Sequence, residues 1–189
     1  MKRALWLFLV SSLAFSVVLA AADRYEYKVL ATNRTGTMEK EMNQAADAGY
    51  SFQGVTGGET GFGGKEVVVV MGRASGEANS RKKYKLLATQ RTSTMQKELQ
   101  QAGNEAFDYK GQTVFETAFG GKETVVILER DPESKVKRFL YKLLATNRTS
   151  TMEKELREAG DAGFLIAGMS VGKTAFGGNE VVCILKRVD

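Results

Sequence analysis

The sequence lacks the residues that most enzyme and metal sites depend on: it has no histidine, one cysteine and one proline in 189 residues. The absence of histidine excludes imidazole from any catalytic or metal-binding role. The single cysteine, Cys183, excludes an intramolecular disulfide and a multi-cysteine metal site. It lies in an apolar strand segment, so we interpret it as a small core residue. The chain also carries no phosphate-binding glycine loop, nucleophile elbow or metal-ligand spacing. We therefore predict no catalytic residue, no metal site and no cofactor.

The composition is that of a folded chain without a strong excess of either charge. Hydrophobic residues make up 43% and charged residues 26%, which excludes a disordered chain and a multi-pass membrane protein. The net charge is +5, and residues of both signs are interspersed along the chain. This mild basicity does not favour a nucleic-acid partner.

The N-terminal segment predicts export. Lys2 and Arg3 precede an apolar run over residues 4–22 that ends in three alanines before Asp23. This pattern is typical of a cleaved secretory signal peptide, here residues 1–22. The expected location is periplasmic or extracellular, with no membrane partner after cleavage. A retained membrane anchor is the alternative, because the run is nearly long enough to span a bilayer.

The remaining sequence is one unit repeated three times at an offset of 57 residues. The segment Tyr27–Thr32 recurs at 84–89 and 141–146, and a Phe-Gly-Gly triplet at 62–64 recurs at 119–121 and 176–178. We predict three repeat domains, at 23–79, 80–136 and 137–189, named copy one, copy two and copy three below. A constant repeat length indicates that the chain is built from three copies of one structural unit.

Each copy has the pattern strand, helix, strand, strand. In copy one, Met38, Met42, Ala45 and Ala46 form the apolar stripe of an amphipathic helix. Gly49 stands where a left-handed helix stop is expected, and Gly163 and Ala106 hold the equivalent places. Capping boxes are predicted at the helix starts from a hydroxyl and a carboxyl or amide three residues later; the pairs are Ser93 with Gln96, Ser150 with Glu153 and, in a weaker form, Gly36 with Glu39.

The third strand of each copy is apolar on both faces, at 67–71, 125–128 and 181–185. One helix covers only one face of a sheet, so the other face requires another copy or another subunit. We therefore predict an α+β fold of three β-α-β-β repeats with antiparallel sheets, packed as one pseudo-threefold body. Three independent domains along a string are the alternative.

The order of motifs resembles a family of small bacterial domains of unknown function. Those domains open with a Tyr-Lys-Val strand, continue with a Leu-Glu-Lys helix and a Gly-aromatic strand, and close with an apolar strand that ends in a basic residue. The matching segments are Tyr27–Val29, Met38–Met42, Ala48–Tyr50, Tyr141–Leu143, Met152–Leu156, Ala162–Phe164 and Val181–Arg187. Copy two departs from the pattern at 105–107, and the family's usual tryptophan is replaced in all three copies. The resemblance implies the β-α-β-β unit and supplies no activity.

Two recurrent turns are candidate binding sites. The turn before each helix offers an arginine, hydroxyls and free backbone N–H groups to an anion, although ordinary helix capping explains the same residues; the residues are Asn33, Arg34, Thr35, Gln90, Arg91, Thr92, Asn147, Arg148 and Thr149. The turn before each third strand carries Phe62, Phe119 or Phe176. An exposed phenylalanine there would suit a protein partner, whereas the adjacent glycines alone indicate a hairpin turn.

These patterns favour an exported, non-enzymatic binding or interaction protein that recognises an anionic small molecule or a protein partner. A structural protein that forms homo-oligomers or fibres by sheet-edge pairing is the alternative, because uncovered sheet edges invite pairing with other chains.

Overall fold

The computed structural model describes residues 24–61, 64–75, 81–116, 122–173 and 178–189. The predicted signal peptide and the three candidate interaction residues Phe62, Phe119 and Phe176 lie outside these ranges. Within them, no helix is long and apolar enough to cross a membrane.

Each copy folds into a helix and a three-stranded antiparallel sheet with the third strand in the centre. The orders are β1-β3-β2, β4-β6-β5 and β7-β9-β8. The predicted α+β class with antiparallel sheets is confirmed. The elements are β1 (Tyr25–Thr32), α1 (Thr35–Asp47), β2 (Ser51–Thr60), β3 (Gly64–Ala74), β4 (Lys83–Thr89), α2 (Thr92–Asn104), β5 (Asp108–Glu116), β6 (Lys122–Arg130), β7 (Phe139–Thr146), α3 (Thr149–Asp161), β8 (Leu165–Lys173) and β9 (Asn179–Val188).

The helices end as the sequence predicts. Gly49 and Gly163 adopt φ angles of 90° and 80°, and Ala106 adopts the same left-handed conformation at 63°. In copy three, the Phe164 N–H donates to the Ala159 carbonyl and the Gly163 N–H donates to the Gly160 carbonyl, at 3.0 and 2.8 Å. These two bonds form a Schellman motif, which satisfies carbonyls left free at the helix end.

In copies one and three, an arginine near the end of the third strand fixes the same helix end from the sheet. Arg73 donates to the Ala48 carbonyl at 2.6 Å and lies 4.6 Å from the centre of the Tyr50 ring. Arg187 makes the equivalent bond to the Ala162 carbonyl at 2.7 Å. The arginine therefore has a structural role that the sequence pattern alone does not reveal.

The predicted capping boxes are wrong. The N-cap residues are Arg34, Arg91 and Arg148, and no side chain caps any of the three helices. Each arginine N–H instead donates to the threonine two residues earlier, at 3.1–3.2 Å. The helices begin two residues earlier than the boxes require, so Ser93 and Ser150 lie inside the first turn. The glutamine and glutamate side chains are thereby free for other partners.

The copies stack so that helices α1 and α2 each lie between their own sheet and the sheet of the following copy. Helix α1 buries Met38 and Met42 against Val69 of its own copy and against Val125 and Ile127 of copy two. Copy three presents Ile184 to the cluster around α2 in the same way. Copies two and three therefore bury both faces of their third strands, as the apolar pattern predicts. Cys183 is buried in the third cluster, which agrees with its interpretation as a core residue, and burial raises the pKa of its thiol.

The pseudo-threefold arrangement is not confirmed. Copy two contributes residues to the core clusters on both of its sides, shared with copy one and with copy three. A closed threefold body would place α3 over the outer face of the copy-one sheet. Tyr27 and Val29 on that face are instead 66% and 56% exposed. The described contacts therefore form a linear stack of copies one, two and three, with copy two in the middle.

Candidate interaction surfaces

The contact between copies one and two is made by polar side chains of a helix and the edge of a strand. The Glu39 carboxylate accepts a hydrogen bond from the Leu86 N–H at 2.8 Å. The Asn43 side chain accepts one from the Tyr84 N–H at 3.0 Å and donates one to the Tyr84 carbonyl at 2.9 Å. Strand β4 is an edge strand of its sheet, so these bonds satisfy backbone groups that would otherwise invite another strand.

The contact between copies two and three repeats this arrangement with different side chains. Gln96 accepts from the Leu143 N–H at 2.7 Å and donates to the Tyr141 carbonyl at 3.0 Å. Gln100 accepts from the Tyr141 N–H at 3.0 Å and donates to the Phe139 carbonyl at 3.3 Å. The chain thus uses one interface twice, and we call it the helix-to-edge interface.

The second strands of the copies also meet, at a glycine that each strand carries after a β-bulge. A Cβ placed on Gly111 would lie 3.1 Å from both Phe52 and Val55 of copy one. A Cβ on Gly168 would lie 2.0 Å from the Tyr109 hydroxyl of copy two. Glycine therefore lets the copies approach closely here, because a side chain at Gly168 would force Tyr109 to move and one at Gly111 would crowd Phe52 and Val55.

A buried tyrosine anchors each of these interfaces. The Tyr84 hydroxyl donates to Glu129 at 2.6 Å and accepts from the Phe52 N–H of copy one at 2.9 Å. The Tyr141 hydroxyl donates to the Phe107 carbonyl of copy two at 2.9 Å. Burial, strengthened by Glu129, raises the pKa of Tyr84, and burial raises that of Tyr141. Both hydroxyls therefore remain protonated hydrogen-bond donors at neutral pH.

A cluster of charged groups lies beside Tyr84 at the contact between copies one and two. Glu129 is the buried charged residue of the described chain, and Lys82 and Lys110 lie 3.3 Å from its carboxylate. With Tyr84 these groups satisfy the carboxylate, which would be costly to bury alone. Within the described residues, no group of acidic or cysteine side chains could hold a metal ion.

The N-terminal end of the stack presents one half of the helix-to-edge interface without a partner from the described residues. Tyr27 is 66% exposed, whereas the equivalent Tyr84 is 3% exposed beneath α1. Val29, equivalent to Leu86, is also exposed. A Cβ built on Gly54, the equivalent of Gly111, would meet no described atom within 4 Å. We call the outer edge of β1 together with Gly54 the N-terminal end face.

The C-terminal end presents the other half. Helix α3 buries only Met152 and Ala159, whereas α1 and α2 each bury four residues. On β8, Ile166 and Met169 occupy the positions of Phe52 and Val55 and are exposed, Met169 by 52%. We call the outer side of α3 together with these two residues the C-terminal end face. Exposed apolar surface concentrated at one place is a signature of an interaction site.

The predicted anion-binding residues lie in separate grooves. A groove of about 20 Å³ adjoins Arg91 and is lined in part by Leu143 of copy three, and it has room for about one water molecule. A groove of about 350 Å³ adjoins Arg148 and is lined by Met152, Leu156 and Met169. Thr35 lines a third groove, against residues 86–88 of copy two. The described grooves bring no two of the arginines Arg34, Arg91 and Arg148 together, and all three arginines are exposed.

Sequence reasoning missed the side chains that build the interface, namely Glu39, Asn43, Gln96 and Gln100. Their signal is present in the sequence. Carboxamide and carboxylate groups recur four residues apart on the helix, which places them on one face. The spacing of Gln96 from Ser93 suggests a helix cap. The residue that Gln96 binds instead is Leu143 of copy three, which is 47 residues away in the sequence.

No protein-family model, curated protein or solved structure matches the chain.

Proposed function

We propose that the protein is an exported, non-enzymatic interaction protein that binds protein partners through the two end faces of the stack. The observation that carries the proposal is the contrast between equivalent positions. The interface that forms twice inside the chain has a strand half and a helix half. The strand half is exposed at the N-terminal end, where Tyr27 is 66% exposed against 3% for Tyr84, and the helix half is exposed at the C-terminal end.

The exposed residues at the ends support binding rather than mere solvation. Val29, Ile166, Met169 and Val171 are all more than half exposed. Exposed apolar residues scattered singly need no explanation, but a concentrated set favours a partner. The three copies also leave the ends chemically different, one a strand edge and one a helix with an apolar strand, so each end selects its own partner surface.

Photo-crosslinking in the producing cell tests the proposal. A photoreactive phenylalanine analogue replaces Tyr27 at one end or Ile166 at the other in the full chain, and Lys97 on the exposed side of α2 serves as the control. Adducts at the two end positions and none at Lys97 are expected. An absence of adducts at both ends would overturn the proposal. Sequencing the mature protein tests export, because signal cleavage would leave Asp23 at the N-terminus.

A second candidate function is binding of a small anion that has an apolar part at the Arg148 groove. The observation that favours it is the size of this groove, about 350 Å³, beside an exposed arginine. Thermal unfolding with a medium-chain carboxylate tests it. Arg148→Ala should abolish the stabilisation, and Arg91→Ala should leave it unchanged because the groove at Arg91 has room for only about one water molecule. Equal responses of both variants would exclude this candidate.

The repeats themselves support a tandem triplication of one β-α-β-β unit. Their relation to the small bacterial domain family of unknown function is part of the proposal, supported by the strand, helix and terminal arginine motifs described above. That relation supplies no partner.

A further inference from the structure

The helix-to-edge interface is asymmetric, and the chain displays both of its halves at opposite ends. Inside the molecule, the helix half of one copy binds the strand half of the next, first between copies one and two and again between copies two and three. Within the part of the chain that the structure describes, nothing covers the strand half of copy one or the helix half of copy three. The internal interfaces show which surface fits each exposed half: a helix half covers a strand half, and a strand half covers a helix half.

We infer that the C-terminal end face of one molecule binds the N-terminal end face of a second copy of this chain, in the geometry of the internal interfaces. This rests on the proposed function and names the partner of the end faces. Contacts of this head-to-tail kind are heterologous, so they extend into chains of molecules or close into rings and do not stop at a dimer.

The apolar parts of the two faces are complementary. Leu143 lines the groove of about 20 Å³ beside Arg91, and Val29 is its equivalent at the N-terminal end face. The corresponding groove beside Arg148 measures about 350 Å³ and is lined by Met152 and Leu156. Val29 of a second molecule therefore has an apolar groove to fill.

The strand parts of the two faces are complementary as well. Phe52 and Val55 of copy one cover Gly111, and Tyr109 of copy two covers Gly168. Ile166 and Met169 are the corresponding residues of copy three and are exposed. Gly54 of a second molecule offers the free space that receives them.

The polar part of the interface is retained at one position and altered at the next. Glu153 is equivalent to Glu39, so its carboxylate can accept the Val29 N–H as Glu39 accepts the Leu86 N–H. Arg157 replaces Asn43 and Gln100 and now pairs with Glu153 at 3.0 Å on the exposed helix surface. Arginine has no acceptor for the Tyr27 N–H, although it can donate to a carbonyl. We therefore expect the contact between molecules to be weaker than the internal ones and to depend on concentration.

A mixing experiment with charged variants tests this geometry. The protein is purified from cells that express the full chain, and its mass is followed by sedimentation over micromolar to millimolar concentration. The wild type should grow beyond a dimer with rising concentration. Val29→Glu on one face, or Met169→Glu on the other, should weaken association at least about tenfold, because each buries an unpaired charge. A 1:1 mixture of the two variants should form a dimer and stop, since one functional face of each kind remains.

Controls separate this result from misfolding and from other modes of assembly. Gly54→Leu blocks the same face as Val29→Glu without a charge, and Lys97→Glu changes a charge outside both faces. Pairing of two β1 edges would leave Met169→Glu able to dimerise, which would overturn the head-to-tail geometry. A wild type that stays monomeric throughout would also overturn it. In that case, crosslinks from Tyr27 and Ile166 to a different protein would still support the proposed function, whereas their absence would defeat both.

Discussion

At the scale of single residues, the same tyrosine has different surroundings at its three positions in the chain. Tyr84 and Tyr141 are buried between copies, where each hydroxyl has a hydrogen-bond partner in the preceding copy or in its own. Tyr27 is at the N-terminal end face and is largely exposed. The tyrosine of nearly identical segments, Tyr-Lys followed by two apolar residues and Ala-Thr, is therefore a core residue in copies two and three and a surface residue in copy one.

Removal of the Tyr84 hydroxyl should destabilise the protein, and removal of the Tyr27 hydroxyl should not. Tyr84→Phe leaves the buried Glu129 carboxylate and the Phe52 N–H each without one partner, a loss of about 1–3 kcal/mol in the free energy of unfolding. Tyr27→Phe should change it by less than about 0.5 kcal/mol, as is usual for an exposed side chain. Urea denaturation of both variants measures the difference. Equal losses would contradict the buried role of Tyr84.

At the scale of elements, the helix starts and stops were predictable to different degrees. The stops follow from short-range backbone geometry, and the Schellman bonds form in all three copies. The starts were predicted wrongly, because the spacing of Ser93 and Gln96 fits a cap, whereas the strand edge of copy three binds the glutamine. A local motif yields here to a long-range partner, since an edge strand packed against a helix has backbone groups that must be satisfied.

The helix stops also supply a matched pair of substitutions with opposite expected effects. Ala106 holds a left-handed φ of 63°, which is strained for any residue with a Cβ. Ala106→Gly should raise the free energy of unfolding by about 1 kcal/mol. Gly163→Ala should lower it by about the same amount through backbone strain alone, because a Cβ at Gly163 meets no described atom within 4 Å. Thermal or urea unfolding measures both changes, and effects of the same sign would refute this account.

At the scale of the whole molecule, stability is concentrated where two copies meet. The clusters around α1 and α2 each draw residues from two copies, whereas the cluster around α3 is small and confined to copy three. Repeat proteins commonly have terminal units with a more polar outer face, which keeps the ends soluble. The exposed Glu153–Arg157 pair makes the outer face of α3 polar, as in such terminal units, whereas the exposed apolar residues of β8 do not fit this pattern.

The buried tyrosines of the internal interfaces should make the protein sensitive to alkaline pH. Burial, with a smaller contribution from Cys183, raises the pKa of Tyr109 from 10.0 to about 12, and the pKa values of Tyr84 and Tyr141 are also raised. Because these pKa values are higher in the folded protein, the same tyrosines lose their protons at lower pH in the unfolded chain. The stabilisation is therefore complete below pH 10 and is lost as the pH rises through 12.

Tyrosinate absorbance measured against pH, in buffer and in denaturant, checks this expectation. In buffer, part of the six tyrosines should ionise at higher pH than in denaturant, until alkaline unfolding releases them. Coincident titration curves would contradict the burial of these hydroxyls in the stack.

The sequence by itself determined the three copies, their β-α-β-β order, the apolar helix stripes and the need to cover both faces of the third strands. These features follow from residue periodicity and backbone geometry, which act over a few residues and are the same in every copy. Only the tertiary structure decided that the copies stack in a line, that Glu39 and Gln96 bind the edge of the next sheet, and that Tyr27 and Met169 remain exposed. A closed ring and an open line of similar units require nearly the same apolar and polar pattern in each unit. They differ in how successive copies are oriented, and no local pattern encodes that orientation.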